Sequence, residues 1–237
     1  MNISQWICTV CGYNMIAKMP DVCPFCGANH RHFITSEEGE QLYKVTPTRV
    51  NDYVTQLLSV PRLGFEHAAY CLDTENGTVW VDCPSVLNHD LEPVQAIYFT
   101  HHHFMGACNQ YQEMWGAKIH LHNLDADLPL ARQFSVDERY NSDFTTHGIQ
   151  AFHIDGHTPG FTMYIYKSVL FICDYAFPPG SRMRLNPYGP TDKTRTGALK
   201  VIDLVADRNL ETVCGFNYVA EFDIWFHDFV RIVNESA

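Results

Sequence analysis

An apolar run that climbs into three consecutive histidines, Ala96-Ile97-Tyr98-Phe99-Thr100-His101-His102-His103, constrains this chain more than any other stretch. The run reads as a buried strand, and in extended backbone alternate side chains share a face. His101 and His103 therefore point together while His102 points away. Two imidazoles converging at the end of a buried strand form a natural half of a metal site. Phe104-Met105-Gly106, which follow them, supply no ligand.

With 237 residues and 46% hydrophobic content, the chain can bury one large core or two unequal ones. A formal net charge of −11 argues against nucleic acid or an anionic membrane surface as partner, since both need a basic footprint. No apolar run approaches the length of a membrane span. The first twenty residues lack a charged start followed by an apolar core, so a cytoplasmic location is expected. Of the nine cysteines, five stand singly in apolar surroundings (Cys71, Cys83, Cys108, Cys173, Cys214), which suits a reducing compartment better than a disulfide framework.

The other four cysteines form paired knuckles, Cys8-Thr-Val-Cys11-Gly12 and Cys23-Pro-Phe-Cys26-Gly27. Each Cys-x-x-Cys turns sharply enough for both sulfurs to reach one ion, and the glycine after it permits left-handed backbone. Four thiolates make a closed tetrahedral site with no position for substrate. So short a segment cannot stay folded on its apolar residues alone, and the metal is expected to stabilise it. Trp6-x-Cys8-x-x-Cys11-Gly12-Tyr13, Pro20-x-x-Cys23-Pro24-x-Cys26-Gly27-Ala28 and Phe33 resemble rubredoxin, and more closely the short rubredoxin-like domain of rubrerythrins. That resemblance implies one iron and single-electron transfer. Sulfur ligands alone do not separate iron from zinc, and a purely structural zinc knuckle is the alternative.

Thr35 to Glu40 is polar and contains glycine, and reads as a linker. The expected organisation is a four-cysteine domain over 1–34, a linker over 35–46 and a layered α/β domain over 47–237. Short strand-like runs at Val54–Val60, Ala68–Leu72 and Val79–Val81 come first, the last two joined by an Asn76-Gly77 hairpin signal. Strands and helices then mix: Lys118–His122, Gly148–Ile154, Phe161–Tyr166, Ser168–Cys173 and Glu211–Phe216 read as strands. Ala107–Gly116, Thr194–Asp207 and Asp223–Val233 read as helices, the second with Leu199, Ile202, Leu204 and Val205 as its apolar spacing.

Several motifs in order resemble the metallo-β-lactamase family: Asp82 at a strand end, Thr100-His101-x-His103, Gly156-His157-Thr158-Pro159-Gly160, and Leu170-Phe171-x-x-Asp174. The resemblance implies an αββα sandwich from about Pro47 onward, with a metal centre at one sheet edge. It implies His101, His103 and His157 as ligands of a first ion, zinc or iron, with Asp174 as a ligand or as the group that takes a proton from water in catalysis. Family members hold a second ion through residues that here align with Met105, Gly106 and, loosely, Phe216. A thioether, a hydrogen and a phenyl ring cannot replace those ligands, so at most one ion is expected in the cleft.

Asp82 reads as an orienter of a histidine rather than a ligand. His102 reads as a surface or supporting residue, and His120, His122, His147 and His153 as ordinary packing. Cys83, Cys108 and Cys173 lie near ligand positions and read as buried thiols, with completion of a metal shell as the alternative.

Three functions follow. The pairing of a rubredoxin-like module with a histidine-rich site, as in flavodiiron proteins, implies a redox protein with a redox partner. A mononuclear metal-dependent hydrolase of thioesters or lactones, resembling glyoxalase II, is the alternative and would take a small-molecule substrate. A non-catalytic binding module on a decayed fold is the third.

Overall fold

The computed structural model describes residues 4–235. The N-terminal unit is a three-stranded antiparallel sheet ordered β2-β1-β3, from β1 (Gln5–Cys8), β2 (Asn14–Ile16) and β3 (Phe33–Thr35). Its small core is Cys8, Cys11, Tyr13, Cys23 and Phe33. Strands of three or four residues with this little apolar surface cannot hold themselves together, so the cysteines carry the unit.

Residues 36–42 are not an open linker. They form α1 (Ser36–Leu42), capped by a box in which the Thr35 hydroxyl accepts from the Glu38 amide and the Glu38 carboxylate accepts from the Thr35 amide. The Thr-Ser-Glu-Glu sequence carried that signature, worth about 1 kcal/mol. Gly39 is buried against Ile7 and Val86, so the helix is a packed joint. The expected boundary at Pro47 falls inside β4 (Lys44–Arg49), which opens the larger domain.

That domain packs two sheets face to face. The first runs β4, β5 (Val54–Val60), β6 (Ala69–Thr74), β7 (Gly77–Val81), β8 (Ala96–Tyr98), β9 (Lys118–His122), β10 (Glu138–Tyr140) in sequence order. It is antiparallel up to β7 and parallel from β7 to β10. Thr74 pairs with Gly77, so the expected hairpin forms with Glu75 and Asn76 as its loop residues and Gly77 opening β7. The second sheet runs β11 (Phe144–Thr146), β12 (Ile149–His153), β13 (Thr162–Tyr166), β14 (Val169–Cys173), β15 (Thr212–Gly215), β16 (Val219–Glu221).

Period-two alternation assigns the layers. Ala96 and Tyr98 join Val169 and Phe171 in the core between the sheets. Ile97 and Phe99 face the opposite way, toward Tyr111 of α2 (Cys108–Trp115). Leu170 and Ile172 face α4 (Thr191–Val205) and α5 (Phe222–Glu235). Helix, sheet, sheet and helix are therefore stacked as four layers, with the central strands buried on both faces.

On α4 the expected Val205 is buried and Ile202 and Leu204 pack half-buried against the core, and one expected position differs. Leu199 is 42% exposed, and the buried stripe is Thr194, Gly197, Ala198, Val201 and Val205. Small residues are needed there because Gly197 lies against the Tyr175 hydroxyl and the Ile154 backbone.

The two parts of the chain are tightly joined. Asn14 Nδ2 donates to the Ser85 carbonyl at 2.9 Å, Gln133 Nε2 to the Tyr13 hydroxyl at 2.9 Å, and Phe65 N to the Val10 carbonyl at 3.0 Å. Gly64, at φ +52°, allows the last contact: a Cβ there would collide with the Val10 carbonyl. Gly64→Ala is expected to cost on the order of 3 kcal/mol through that clash and the left-handed backbone. Calorimetric melting of the variant beside the parent checks it.

Candidate metal centres

The first centre is the N-terminal thiol cluster. Cys8 Sγ lies 3.7 Å from Cys26 Sγ, and Cys11 Sγ 3.7 Å from Cys23 Sγ. A tetrahedral ion with bonds of about 2.3 Å separates its sulfurs by roughly 3.8 Å, so the four thiols are set for one. Cys8, Cys11 and Cys23 are buried, while Cys26 is exposed. The hydrogen bond from Cys11 holds the Cys23 thiol far below its usual range, while the same sharing with Cys23 and Cys8 pushes the Cys11 thiol up.

The second centre assembles from three strand ends. His101 and His103 follow β8, His157 follows β12, and Asp174 follows β14. All four candidate ligands predicted from the sequence converge. His103 Nδ1 and His157 Nε2 are 3.1 Å apart, so a proton or a cation must lie between their lone pairs. Asp174 Oδ1 lies 3.5 Å from His101 Nε2, and Asp174 Oδ2 3.4 Å from His157 Nε2. His101 Nε2 and Asp174 Oδ1 are buried without a hydrogen-bond partner, two orphaned groups aimed at the same space.

Supporting contacts fix which nitrogen faces inward. Asp82 accepts from the Thr100 hydroxyl at 3.0 Å, so the His101 Nδ1–H must donate to that hydroxyl, 3.0 Å away. His101 Nε2 is thereby left unprotonated and free to ligate. Asp82 acts through Thr100, as the orienter expected from the sequence. Burial holds His101 and His103 well below the usual histidine range, so both stay neutral at pH 7. Burial pushes the Asp174 carboxyl up, but His157, His101 and His67 outweigh it and hold the group well below the carboxylate range. Three imidazoles and one carboxylate suit a borderline dication such as zinc or ferrous iron.

Sequence reasoning missed three residues here. Asp125 is fully buried and accepts from His102 N and His102 Nδ1 (both 3.0 Å), Thr158 Oγ1 (2.8 Å) and Gly160 N (2.7 Å). One carboxylate thus ties the triple-histidine loop to the Gly-His-Thr-Pro-Gly loop, and His102 is a buried supporting residue. Asn186 Nδ2 donates to the Asp174 carbonyl and to Oδ2, each at 2.9 Å, and aims the carboxylate. His67, in the loop between β5 and β6, is buried with its Nε2 3.9 Å from Asp174 Oδ2.

Of the residues aligned with the second-ion ligands, Met105 is packed in the core beneath the first sheet and Gly106 lies against the Cys83 and Pro84 carbonyls. Only Phe216 lies close by, its ring 5.3 Å from His67. Cys83 and Cys108 are core thiols, as expected. His120 stacks on Tyr98, and His122 stacks on His153.

Residues 6–34 match the family described as rubrerythrin, rubredoxin-like domain. No curated protein sequence matches the chain. In structure, DIM-1 metallo-β-lactamase is similar with a TM-score of 0.65, over 82% of this chain and 99% of that one, at 11% identity. The larger domain has the metallo-β-lactamase fold. FIM-1 from Pseudomonas aeruginosa, solved in a mono-zinc form, is similar at a TM-score of 0.65 and 14% identity, over 81% of this chain and 96% of that one. An archaeal metallo-β-lactamase superfamily protein from Sulfolobus tokodaii is similar at 0.53 and 12% identity, over 71% and 79%.

The rubredoxin-like domain sits directly on the centre of the lactamase-fold domain. Phe25, between the ligands Cys23 and Cys26, meets the His103 ring edge-on at 4.8 Å between centroids and Phe104 at 5.1 Å. Phe104 and Leu130, both from the lactamase-fold domain, pack against the small core that holds three of the four cysteines. Among the described residues, no helix is long and apolar enough to cross a membrane.

Proposed function

We propose that this chain is an electron-transfer protein, in which a four-thiolate iron site exchanges single electrons with an ion held by His101, His103, His157 and Asp174. The contact between Phe25 and His103 carries this reading. One residue from inside the cysteine knuckle touches a ligand of the other centre, so the covalent and packed path between them is short. Iron in four thiolates supplies the one-electron chemistry. The chain's own residues hold the two stations at fixed separation, exclude water from between them with Phe25 and Phe104, and keep His101 Nε2 free of protons through Thr100 and Asp82. An external redox partner would supply or accept the electrons.

The test is an iron-loaded, anaerobically reduced sample mixed rapidly with oxidant, with ferric-thiolate absorbance followed in time. Phe25→Ala is expected to slow exchange between the centres several-fold while leaving both loaded. Stoichiometric zinc at the thiolate site of the native protein, or a rate unaffected by the substitution, would end the proposal.

The alternative is a mononuclear hydrolase, and the likeness to a lactamase solved in mono-zinc form supports it. Against it stands the same Phe25 and Phe104 cover, which lies where an acyl substrate would approach His103. Thioester or lactone turnover that disappears in His103→Ala would favour it. The ordered support around His101 and His157 argues against a decayed fold.

A further inference from the structure

We infer that the lactamase-fold domain holds a second ion in its cleft, through His67, Cys173 and Asp174, a ligand set different from the one its aligned positions have lost. This goes beyond the electron-transfer proposal and rests on its reading that the histidine centre holds an ion.

The backbone at Cys173 is the first observation. Successive side chains in a strand point to opposite faces, so Cys173 and Asp174 could not serve one site in regular β structure. Here the pairing of β14 with β15 shifts register between Phe171 and Cys173, and Cys173 adopts φ +45°. Left-handed backbone is costly for a non-glycine residue, and such strain concentrates where a side chain must be aimed. The kink turns the Cys173 sulfur and the Asp174 carboxylate toward the same pocket.

His67 is the second observation. It is 7% exposed, with Nδ1 3.5 Å from Cys173 Sγ and Nε2 3.9 Å from Asp174 Oδ2. One ring nitrogen, the sulfur and a carboxylate oxygen all lie within 4.8 Å of one another. Donors around a tetrahedral ion of zinc's size are roughly 3.3–3.8 Å apart, so a small closure completes the set. The ring is held between Phe104, at 3.7 Å, and Phe216, at 5.3 Å between centroids. The imidazole missing at position 216 is thus supplied from the β5–β6 loop, against the very phenyl ring that stands at that position.

Asp174 joins the two sets, since Oδ1 faces His101 and Oδ2 faces both His157 and His67. A thiolate beside an imidazole and a carboxylate selects zinc, cobalt or ferrous iron over magnesium or calcium. On binding, the Cys173 thiol gives up its proton to solvent and its sulfur bonds to the ion.

The test is metal content of the intact chain after saturation with Zn(II) and removal of excess, with proton release measured during the titration. Three ions per chain are expected, one for each ligand group. His67→Ala and Cys173→Ala are each expected to hold one ion fewer. If one of them fails to fold, the other decides. Two ions in the parent, or three retained by a folded variant, would overturn the second cleft ion and leave the first intact. A single ion in the parent would remove the histidine centre as well.

Discussion

Stripping the ion from the four-cysteine site is expected to unfold residues 5–35 while the lactamase-fold domain stays native. Three of the five residues at the centre of the small core are ligands, and the strands they join are three or four residues long. Structural metal of this type provides on the order of 10 kcal/mol to small domains, far more than Tyr13 and Phe33 can supply by burial. The larger domain keeps three extensive cores of its own. Hydrogen exchange on a Cys8→Ala, Cys23→Ala double variant separates the two. Amides of β1 to β3 should exchange at once, and those of β8, β13 and β14 should stay protected. Native protection throughout would show that docking alone folds the unit.

Asp125→Ala is expected to be the most damaging single change outside the ligands. Four donors converge on this buried carboxylate, and its loss leaves them unpaired in the interior. Breaking such a centre costs on the order of 3–5 kcal/mol. Removing a support of this kind also lowers metal affinity by roughly 10- to 100-fold. Urea unfolding and a competitive chelator titration measure the two effects, and Asp125→Asn, which keeps one acceptor, should fall between. Burial raises the Asp125 carboxyl, yet the hydrogen bond and charge of His102, with the hydrogen bonds from Thr158 and the Gly160 amide, hold it below its usual value. The unfolded chain therefore takes up protons first as pH falls. The stabilisation is complete above pH ~4 and is lost below it. Affinity unchanged in Asp125→Ala would show that the two ligand loops keep their places without the clamp.

Local patterns were legible before the fold. Cys-x-x-Cys, His-x-His and Gly-His-Thr-Pro-Gly place ligands by spacing a few residues apart, and buried strands announce themselves as apolar runs. Asp125, Asn186 and His67 were not legible, because their roles arise from contacts 12 to 106 residues away in sequence. No local pattern marks them. Met105 shows the converse: counting along the chain put it in the cleft, but the turn at Gly106, φ +55°, carries the backbone so that the thioether enters the core. On α4, Leu199 was expected to face inward but is exposed, because a close helix-to-sheet contact selects glycine and alanine at the innermost positions. The α1 capping box was readable in Thr35-Ser36-Glu37-Glu38, and the polarity of that stretch hid it.

The joint made by α1, Gly64 and Val10 gives the small domain no arc through which to swing. A tethered carrier must search for its acceptor, and its delivery is governed by diffusion of the tether. Here the two clusters are packed against each other, so under the electron-transfer reading proposed above the gap between them is a constant of the architecture, and control of the flow falls to the arrival of an outside partner or to the far side of the cleft.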